Sequence, residues 1–574
     1  MKKYHTLLVT AALLWPCIFA FAAKKSLPIL PYPNSVEMKG GVFKIAGATV
    51  SISGLDDAKA VAAVKEFVAD LSAASGKQSE VRTGDADNGI VFSKETSIPS
   101  EGYVIEVEKK KISVRASDFP GIFYAIQTLR QMLPSEIYGH LAAPSADWTV
   151  ACCRIEDKPR FSYRGTLLDC CRHFWTVEEV KKFIDMMAVY KQNVLHWHLS
   201  EDQGWRIEIK KYPELTEIGS WRTHTQVGLD RRPESSDRRP HGGWYSQEEI
   251  RDIVAYAENR AITIIPEIDM PGHMVAALAS YPWLGCFGKS MEFPGEPYKV
   301  RTMWGVSKDV LCLAKPTSLE FVYGVLDEIM ELFPSKYIHI GGDECPRTAW
   351  EKCSACQAKI AELGLEDKGK TSKESYYQTW FTLEIQKYLA EHGRSIIGWD
   401  EIFTDKLSKS ATVMNWRDVS YGIQAALAGH DVICCPYRKL YIDYRQTVQY
   451  EHEPLSITRN RPERAITIER MYAYEPFTEE MNDEAKAHVI GVQQNLWTEY
   501  IATPDHLEYM FAPRCAAAAE IQWCEPGRKD ISRLKAALPY HEKLYEQKGF
   551  VYSQAWRGIS GMPGNRWPIE NPED

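Results

Sequence analysis

Residues 337–344 read YIHIGGDE, and the fold assignment starts from this stretch: a short apolar run, two glycines and two adjacent acids. Similar apolar runs, each followed by polar or charged residues, recur along the rest of the C-terminal part of the chain. Helical patterns at residues 177–190, 246–259 and 319–332 lie between some of these runs. We therefore predict strands at residues 165–168, 194–197, 262–265, 337–340, 395–398, 412–414, 431–434 and 489–493.

Strands that alternate with helices in this way predict an α/β protein with a (β/α)8 (TIM) barrel. A doubly wound parallel sheet is the structural alternative, but no glycine-rich phosphate loop follows the first predicted strand. We assign residues 156–530 to the barrel. Residues 23–155 mix β-rich runs with two helical patterns, which predicts a small α/β accessory domain before the barrel. Residues 531–574 are predicted to be a C-terminal extension packed on the barrel.

The N-terminus has the pattern of a secretory signal. Lys2 and Lys3 precede an apolar stretch at residues 7–19, and Ala-Phe-Ala at residues 20–22 resembles a cleavage site. Residues 1–22 are therefore predicted to be a signal peptide, and the protein to be exported, either periplasmic or secreted. Cys17 raises the alternative of a lipoprotein signal, but Trp15 and Pro16 stand where small residues are normally required.

The composition excludes several classes of protein. The 574 residues are 45% hydrophobic and 25% charged, as in folded soluble proteins, and no later segment has the ~18 consecutive apolar residues of a membrane span. A net charge of −9 without basic blocks argues against a nucleic-acid partner. The 17 tryptophans and 29 tyrosines would suit a surface that binds sugars.

The 14 cysteines do not form the pattern of a small disulfide framework. Cys353-x-x-Cys356, with Cys345 upstream, is compatible with a metal knuckle or a disulfide. No fourth ligand is evident in the sequence, so we interpret the motif as a local structural element. No metal and no cofactor are predicted.

Polar residues gather where the predicted strands end, which in a barrel of this type is the catalytic face. The fourth strand ends in Asp343-Glu344. Two adjacent carboxylates raise the pKa of at least one of them, and a carboxylic acid that stays protonated can donate to a glycosidic oxygen. The second carboxylate is badly placed to attack the same anomeric carbon. An acetamido oxygen on the substrate would resolve this, with Asp343 orienting the acetamido nitrogen.

With these motifs the chain resembles glycoside hydrolase family 20, the β-N-acetylhexosaminidases. The resemblance covers residues 156–525, and the motifs that carry it are YRG (163–165) with Asp169 and RHF (172–174), HWH (196–198) with EDQ (201–203), PEIDMPGH (266–273), GGDE (341–344) and LWTEY (496–500). It implies a retaining mechanism in which the acetamido group of the substrate attacks and forms an oxazolinium intermediate.

The resemblance also implies roles for individual residues. Glu344 would be the general acid/base and Asp343 the group that orients the acetamido nitrogen. The substrate-binding residues would be Tyr441 on the acetamido oxygen, Trp399, Trp416 and Trp497 as walls, Arg164 on the O3 and O4 hydroxyls, Glu499 on O4, Asp443 on O6, and Asp202 and His273 as supports of the two acids. His196 and His198 are interpreted as hydrogen-bonded residues of the barrel mouth rather than metal ligands.

We therefore expect an exo-acting β-N-acetylhexosaminidase that removes terminal β-linked N-acetylglucosamine or N-acetylgalactosamine from glycans. Within the same family, a lacto-N-biosidase-like or sulfated-sugar-specific hydrolase is the alternative. A catalytically silent glycan-binding barrel is the alternative of another class. A conventional glycosidase for sugars without an acetamido group would need a second carboxylate facing Glu344, for which Glu401 and Asp443 are the candidates.

Overall fold

A computed structural model describes residues 27–229, 235–449, 453–458 and 461–561. The predicted signal peptide and the last residues of the predicted C-terminal extension, 562–574, lie outside the described residues.

The C-terminal part of the chain forms a closed barrel of eight parallel strands. In chain order they are Tyr163–Asp169, Val194–His198, Thr263–Glu267, Tyr337–His339, Ser395–Trp399, Thr412–Asn415, Val432–Cys434 and Val489–Leu496, and below they are called the first to eighth barrel strands. Each overlaps its predicted strand, so the barrel prediction is confirmed. These strands are almost entirely buried, because helices cover their outer faces and side chains fill the interior.

Helices follow most of the barrel strands. Seven of them begin with capping side chains that satisfy free N–H groups of the first turn, at Thr176, Ser246, Ser372, Asp418, Thr467, Asn482 and Thr503. The helices of this part are Val177–Val189, Glu214–Glu217, Gln247–Glu258, Val275–Ser280, Pro316–Leu332, Thr348–Lys352, Ser354–Glu362, Lys373–Glu391, Val419–Leu427, Tyr437–Leu440, Ile468–Tyr472, Asp483–Ala487, Pro504–Phe511 and Arg514–Trp523.

The N-terminal part forms a separate seven-stranded sheet. Its strands are Ser35–Lys44, Val50–Ser53, Val81–Thr83, Gly89–Lys94, Tyr103–Val107, Lys111–Ala116 and Thr149–Asp157, in the spatial order first, seventh, fifth, sixth, fourth, second, third. Helices Ala58–Ser75 and Phe119–Gln131 pack against each other, and the second packs on the fifth and sixth strands. This α/β layer confirms the predicted accessory domain. Its seventh strand pairs with the first strand on one side and with the fifth on the other.

A buried network of polar side chains joins the two parts. The Lys191 amino group, at the end of the helix after the first barrel strand, donates to the Tyr103 hydroxyl at 2.7 Å and lies 3.4 Å from an Asp157 carboxylate oxygen. The Trp523 indole donates to the other Asp157 oxygen at 2.9 Å. The carboxylate of Asp157 therefore contacts barrel residues from within the N-terminal sheet.

The helix Ile531–Gln547 contacts both parts of the chain. The Tyr540 hydroxyl donates to the Leu133 carbonyl at 2.9 Å, and the His541 ring lies 3.0 Å from the Tyr190 hydroxyl of the barrel. The helix thus covers the junction of the accessory domain with the barrel. Among the described residues, none of the helices is both long enough and apolar enough to cross a bilayer.

Candidate active site

The polar residues of the barrel gather at the C-terminal ends of the strands, as predicted. Asp169, Glu267 and Trp399 are the last residues of the first, third and fifth strands. The turn after the fourth strand carries Asp343 and Glu344.

A glycine turn aims the two acids. Gly341 and Gly342 have φ values of 66° and 95°, and Glu344 has a φ of 46°. A side chain at Gly341 would place its Cβ 1.7 Å from a carboxylate oxygen of Asp269, and the Gly342 N–H donates to that oxygen at 3.1 Å. The turn therefore requires glycine both for its backbone angles and for this close approach. A positive φ at Glu344 is a strained conformation, of the kind that accumulates at functional sites.

Glu344 is supported by a histidine that is itself held by an acid. The Nε2 atom of His273 lies 3.7 Å from the Glu344 carboxylate, and its Nδ1 atom lies 2.6 Å from Glu201. Asp202, the predicted partner, is farther from Nδ1 at 3.7 Å and accepts the Val275 N–H at 3.1 Å. The structure thus brings Asp202, His273 and Glu344 together, and it adds Glu201 as the closer contact of the imidazole.

These contacts separate the pKa values of the two acids. Burial, together with the charges of Asp269 and Glu344, raises the pKa of Asp343 well above its usual range. The polar contact with His273 and the charge of that imidazole lower the pKa of Glu344. The acid pair was predicted to keep a proton, and these opposite shifts favour Asp343 over the predicted general acid as its holder. An oxygen of Asp343 is buried without a partner among the described residues.

Four aromatic side chains form a box at the mouth. The rings of Trp399 and Trp497 are 5.8 Å apart, Tyr441 lies 6.4 Å from Trp497, and Trp416 stacks on Tyr441 at 6.3 Å. Trp399 is buried, and its indole donates to Glu267 at 2.8 Å. The arrangement offers flat apolar walls of the kind that suit a sugar ring or an acetamido methyl group.

A polar rim continues from this box. Asp443 is 5% exposed, has an oxygen without a partner among the described residues, and has a pKa raised well above normal by burial and by Glu499. Burial also raises the pKa of Glu499, although the charge of Arg172 opposes this. The guanidinium of Arg172 lies 3.1 Å from Glu201, and its carbon lies 5.0 Å from the centre of the Trp497 ring.

The predicted role of Arg164 is wrong. Arg164 is the second residue of the first barrel strand, at the end of the barrel opposite to the mouth, and its side chain is 1% exposed. Its guanidinium donates to Glu101 of the accessory domain at 2.7 Å and to the Lys191 and Phe161 carbonyls at 3.0 and 2.8 Å. It is therefore a junction residue between the two domains and cannot reach a ligand at the mouth.

Arg172 is the arginine that the sequence reasoning missed as a site residue. The signal was present, because Arg172 follows the first strand whereas Arg164 lies at its start, and only residues after a barrel strand reach the mouth. Arg172 also pairs with Asp169 at 3.3 Å, so its side chain is fixed between two carboxylates.

Beneath the box lies a buried network of imidazoles around one carboxylate. His196, His198 and His339 lie within 3.0, 2.5 and 3.1 Å of oxygens of Glu267, and one of these oxygens also accepts from Trp399. His196, Glu267 and His339 lie close enough to hold a metal ion, as do three other small groups at the mouth. Here the contacts serve the carboxylate, because the three imidazoles, His198 most of all, lower the pKa of the buried Glu267 and so favour its ionised form.

Comparison with known proteins gave concordant similarities. The sequence model described as "Glycosyl hydrolase family 20, catalytic domain" matches residues 161–526, and that described as "Glycosyl hydrolase family 20, domain 2" matches residues 26–158. A beta-hexosaminidase of Porphyromonas gingivalis is 40% identical over 545 residues, which are 92% of this chain and 66% of that protein. The chain thus spans just under two thirds of that relative's length. A beta-hexosaminidase of Vibrio furnissii is 36% identical over 86% of this chain and 76% of its own.

Solved structures show the same likeness. The crystal structure of a GH20 exo beta-N-acetylglucosaminidase from Vibrio harveyi in complex with N-acetylglucosamine matches with a TM-score of 0.78 and 34% identity, over 92% of this chain and 79% of that one. A beta-N-acetylhexosaminidase from Bacteroides fragilis matches with a TM-score of 0.75 and 30% identity, over 92% of this chain and 96% of that one.

Proposed function

The chain belongs to glycoside hydrolase family 20 and is a glycoside hydrolase of the β-N-acetylhexosaminidase type, and we propose that Asp343 and Glu344 release a terminal β-linked N-acetylhexosamine by substrate-assisted catalysis. The observation that carries this assignment is that the two acids, on a glycine turn, share the barrel mouth with the aromatic box: the charge of Asp343 acts on Glu401, which accepts from the Trp416 indole of the box. Its substrate is a glycan with terminal N-acetylglucosamine or N-acetylgalactosamine.

In the first step, the acetamido carbonyl oxygen of the substrate attacks the anomeric carbon while Glu344 gives its proton to the departing glycosidic oxygen. The bond to the leaving group breaks and a bicyclic oxazolinium ion remains. In the second step, Glu344 takes a proton from water, which attacks the anomeric carbon and restores the acetamido group. Each step leaves the number of protons on the enzyme and substrate balanced.

Asp343 acts on the acetamido nitrogen. Its unpartnered buried oxygen is an acceptor for that N–H group, and a carboxylate here would stabilise the positive charge that develops on the oxazolinium ring. The hydroxyl of Tyr441, on the wall of the box, is the donor to the attacking acetamido oxygen. Together they hold the acetamido group in the orientation from which it attacks.

The opposite pKa shifts of the two acids favour a proton on Asp343 over one on Glu344 in the free protein. The first catalytic step needs that proton on Glu344 instead. Substrate reverses the preference, because its N–H group favours the Asp343 carboxylate and displacement of water around Glu344 favours the neutral acid. The two acids therefore titrate as a pair that shares one proton, and activity is lost when that proton is removed.

The carboxyls that a conventional glycosidase would need are not available as nucleophiles. Burial and the neighbouring acids Asp343 and Asp400 raise the pKa of Glu401 to about 8, and one of its oxygens accepts from the Trp416 indole at 2.9 Å. Asp443 also has a pKa raised well above normal. A pKa of about 8 keeps most of Glu401 neutral near pH 7, burial also favours the neutral form of Asp443, and a neutral carboxyl is a poor nucleophile. This favours the nucleophile carried by the substrate.

The sugar hydroxyls would be held by the polar rim. Arg172 replaces Arg164 as the cation available to them, and Asp443 and Glu499 are the acceptors on the same side of the box. Charged hydrogen bonds of this kind contribute about 1.5–3 kcal/mol each to binding. Binding of these hydroxyls favours release of single terminal sugars.

We propose also that the chain is exported. The support is the signal-like pattern of residues 1–22, and the mass of the mature N-terminus tests it. Cleavage after residue 22 is expected, a lipid on Cys17 would mean export as a lipoprotein, and an intact N-terminus would contradict the proposal.

The decisive test compares two aryl β-glycosides that differ only at position 2 of the sugar. We expect hydrolysis of the 2-acetamido substrate, no measurable hydrolysis of the 2-hydroxyl substrate, and inhibition by a thiazoline that mimics the oxazolinium ion. Equal rates on the two substrates would require an enzymic nucleophile and would contradict the proposal. No activity on either would favour a binding-only site or a larger recognition unit.

A further inference from the structure

Four cysteines converge beside the active site, although they are far apart in the sequence. Cys286 and Cys312 belong to the long loop after the third barrel strand, and Cys353 and Cys356 to the segment after the fourth. All four sulfur atoms lie within 4.8 Å of one another. The sequence analysis recognised the last two but lacked further ligands, and Cys345, expected as their companion, is not part of this group.

The sulfur geometry is that of a tetrahedral metal site. The Sγ atom of Cys356 lies 3.8 Å from that of Cys286 and 3.7 Å from that of Cys312. Four sulfurs bonded to one zinc ion at about 2.3 Å stand about 3.8 Å apart in a tetrahedron. A disulfide would require about 2.0 Å between two of them. A cluster of several iron atoms would spread its thiolates more widely.

The surroundings also fit a bound metal. Cys312, Cys353 and Cys356 are buried and Cys286 is half-buried, so bulk water is largely excluded. The hydroxyl of Tyr377 is buried without a hydrogen-bond partner among the described residues and interacts with the sulfur of Cys356. A metal-bound thiolate would accept the hydrogen bond that this hydroxyl cannot otherwise make. Outer partners of this kind are a regular feature of metal sites.

A positive charge stands on one side of the cluster. Lys315 donates to the Trp283 and Gly285 carbonyls, both at 2.7 Å, which holds its amino group next to the loop that carries Cys286. One divalent ion with four thiolates has a net charge of −2, and the nearby ammonium group would partly compensate it. Four protein ligands leave no open position, so such a site is structural rather than catalytic.

We propose that Cys286, Cys312, Cys353 and Cys356 bind one zinc ion that cross-links the two loops carrying His273 and Glu344. The soft thiolate ligands and the tetrahedral arrangement select zinc over magnesium or calcium. The ion fixes the first loop, which presents His273, to the segment that follows Glu344. It is therefore a positioning element for the 3.7 Å contact between these two side chains.

Metal analysis of the intact protein tests the proposal without reference to activity. Purified with reductant and without chelator, the protein is expected to contain about one zinc per chain by plasma mass spectrometry. Cys356→Ser should lose most of that zinc, while Cys345→Ser, the matched control in the same segment but outside the cluster, should keep it. Cobalt in place of zinc should give the absorption bands of a tetrahedral tetrathiolate site.

A titration of the wild-type chain covers the case in which Cys356→Ser does not fold. A mercurial reagent that blocks thiols should release the zinc as four protected cysteines react, and an indicator dye would record the release. Two outcomes would overturn the proposal: peptide mapping that finds these four cysteines joined in disulfides, or free thiols with no zinc after growth in zinc-supplemented medium. Either result would leave the glycosidase assignment untouched, since the glycoside assay is independent of it.

Discussion

At the scale of single residues, the division of labour between Asp343 and Glu344 depends on a histidine from another strand. The sequence places the two acids at the end of a barrel strand, which is enough to predict that they titrate as a pair. It does not say which acid keeps the proton, because His273 reaches Glu344 only through the folded barrel. The position of a proton is thus a property of the tertiary structure.

Glu344→Gln tests the role of the general acid. The amide cannot protonate a leaving group, so turnover of substrates with poor leaving groups, such as natural glycans, should fall by about 10²–10⁴-fold. Aryl glycosides whose phenolate leaves without help should lose much less in the first step. Rates for a series of aryl substrates with different leaving-group pKa values measure this difference. Equal losses across the series would remove Glu344 from the role of acid.

Glu401 gives a pH-dependent prediction for stability. Its pKa is raised to about 8 in the folded protein and is about 4.3 when unfolded, so folding binds a proton between these values and stability falls as the pH rises through them. Glu401→Gln cannot ionise and keeps an acceptor for Trp416. Its Tm should equal that of the wild type near pH 4 and exceed it by a few degrees above pH 8.

The control for that experiment is Glu366→Gln, on the exposed surface, whose Tm should follow the wild type at every pH. A Tm gain for Glu401→Gln that is the same at pH 4 and pH 9 would contradict the prediction. Such a result would point to improved packing rather than to a removed charge.

At the scale of elements, the glycine turn after the fourth strand does what no helix or strand could do. It puts two successive residues at positive φ and leaves room for the Asp269 carboxylate where a Cβ would stand. The amino-acid sequence predicts a turn from the paired glycines, but it does not identify Asp269 as the group that occupies the space. That contact joins the third and fourth strand ends, which are distant in the chain.

Gly341→Ala should therefore damage both stability and activity. The new Cβ would meet the Asp269 oxygen at 1.7 Å in a backbone conformation with a φ of 66°. The left-handed backbone conformation alone costs an alanine about 1–2 kcal/mol of stability. Relief of the clash also displaces the turn that holds Asp343 and Glu344. We expect a lower Tm and a fall in kcat/KM of at least about 10²-fold.

Gly364→Ala separates the two causes. Gly364 has a φ of 62° but no atom within 4 Å of the added Cβ, so it carries the backbone penalty alone. It should lower the Tm slightly and leave kcat/KM unchanged. If Gly341→Ala behaved like Gly364→Ala in both measurements, the close approach to Asp269 would not matter.

At the scale of the whole molecule, the barrel and its accessory domain follow from sequence patterns, whereas the contacts between distant segments do not. Eight apolar runs predict eight strands because every barrel strand is buried on both faces. The sequence motif identified only two members of the four-cysteine cluster, Cys353 and Cys356, because the other two are far away in the sequence. Arg164 was wrongly predicted to lie at the mouth, because the sequence pattern of a charged residue beside an apolar run is the same at both ends of a strand. Only the fold distinguishes the junction from the mouth.

Arg164 and Arg172 give matched tests of that distinction, one at each end of the first strand. Arg164→Met leaves Glu101 without its buried partner and two carbonyls without donors. The free energy of unfolding should therefore fall by about 3–5 kcal/mol. KM and kcat of the folded enzyme should stay within about twofold of the wild type. Arg172→Met should lower kcat/KM by about 10–100-fold through lost binding to sugar hydroxyls. Thermal unfolding and steady-state kinetics on both variants measure the two effects. A rise in KM for Arg164→Met below its unfolding temperature would mean that the junction controls the mouth from the opposite end of the barrel.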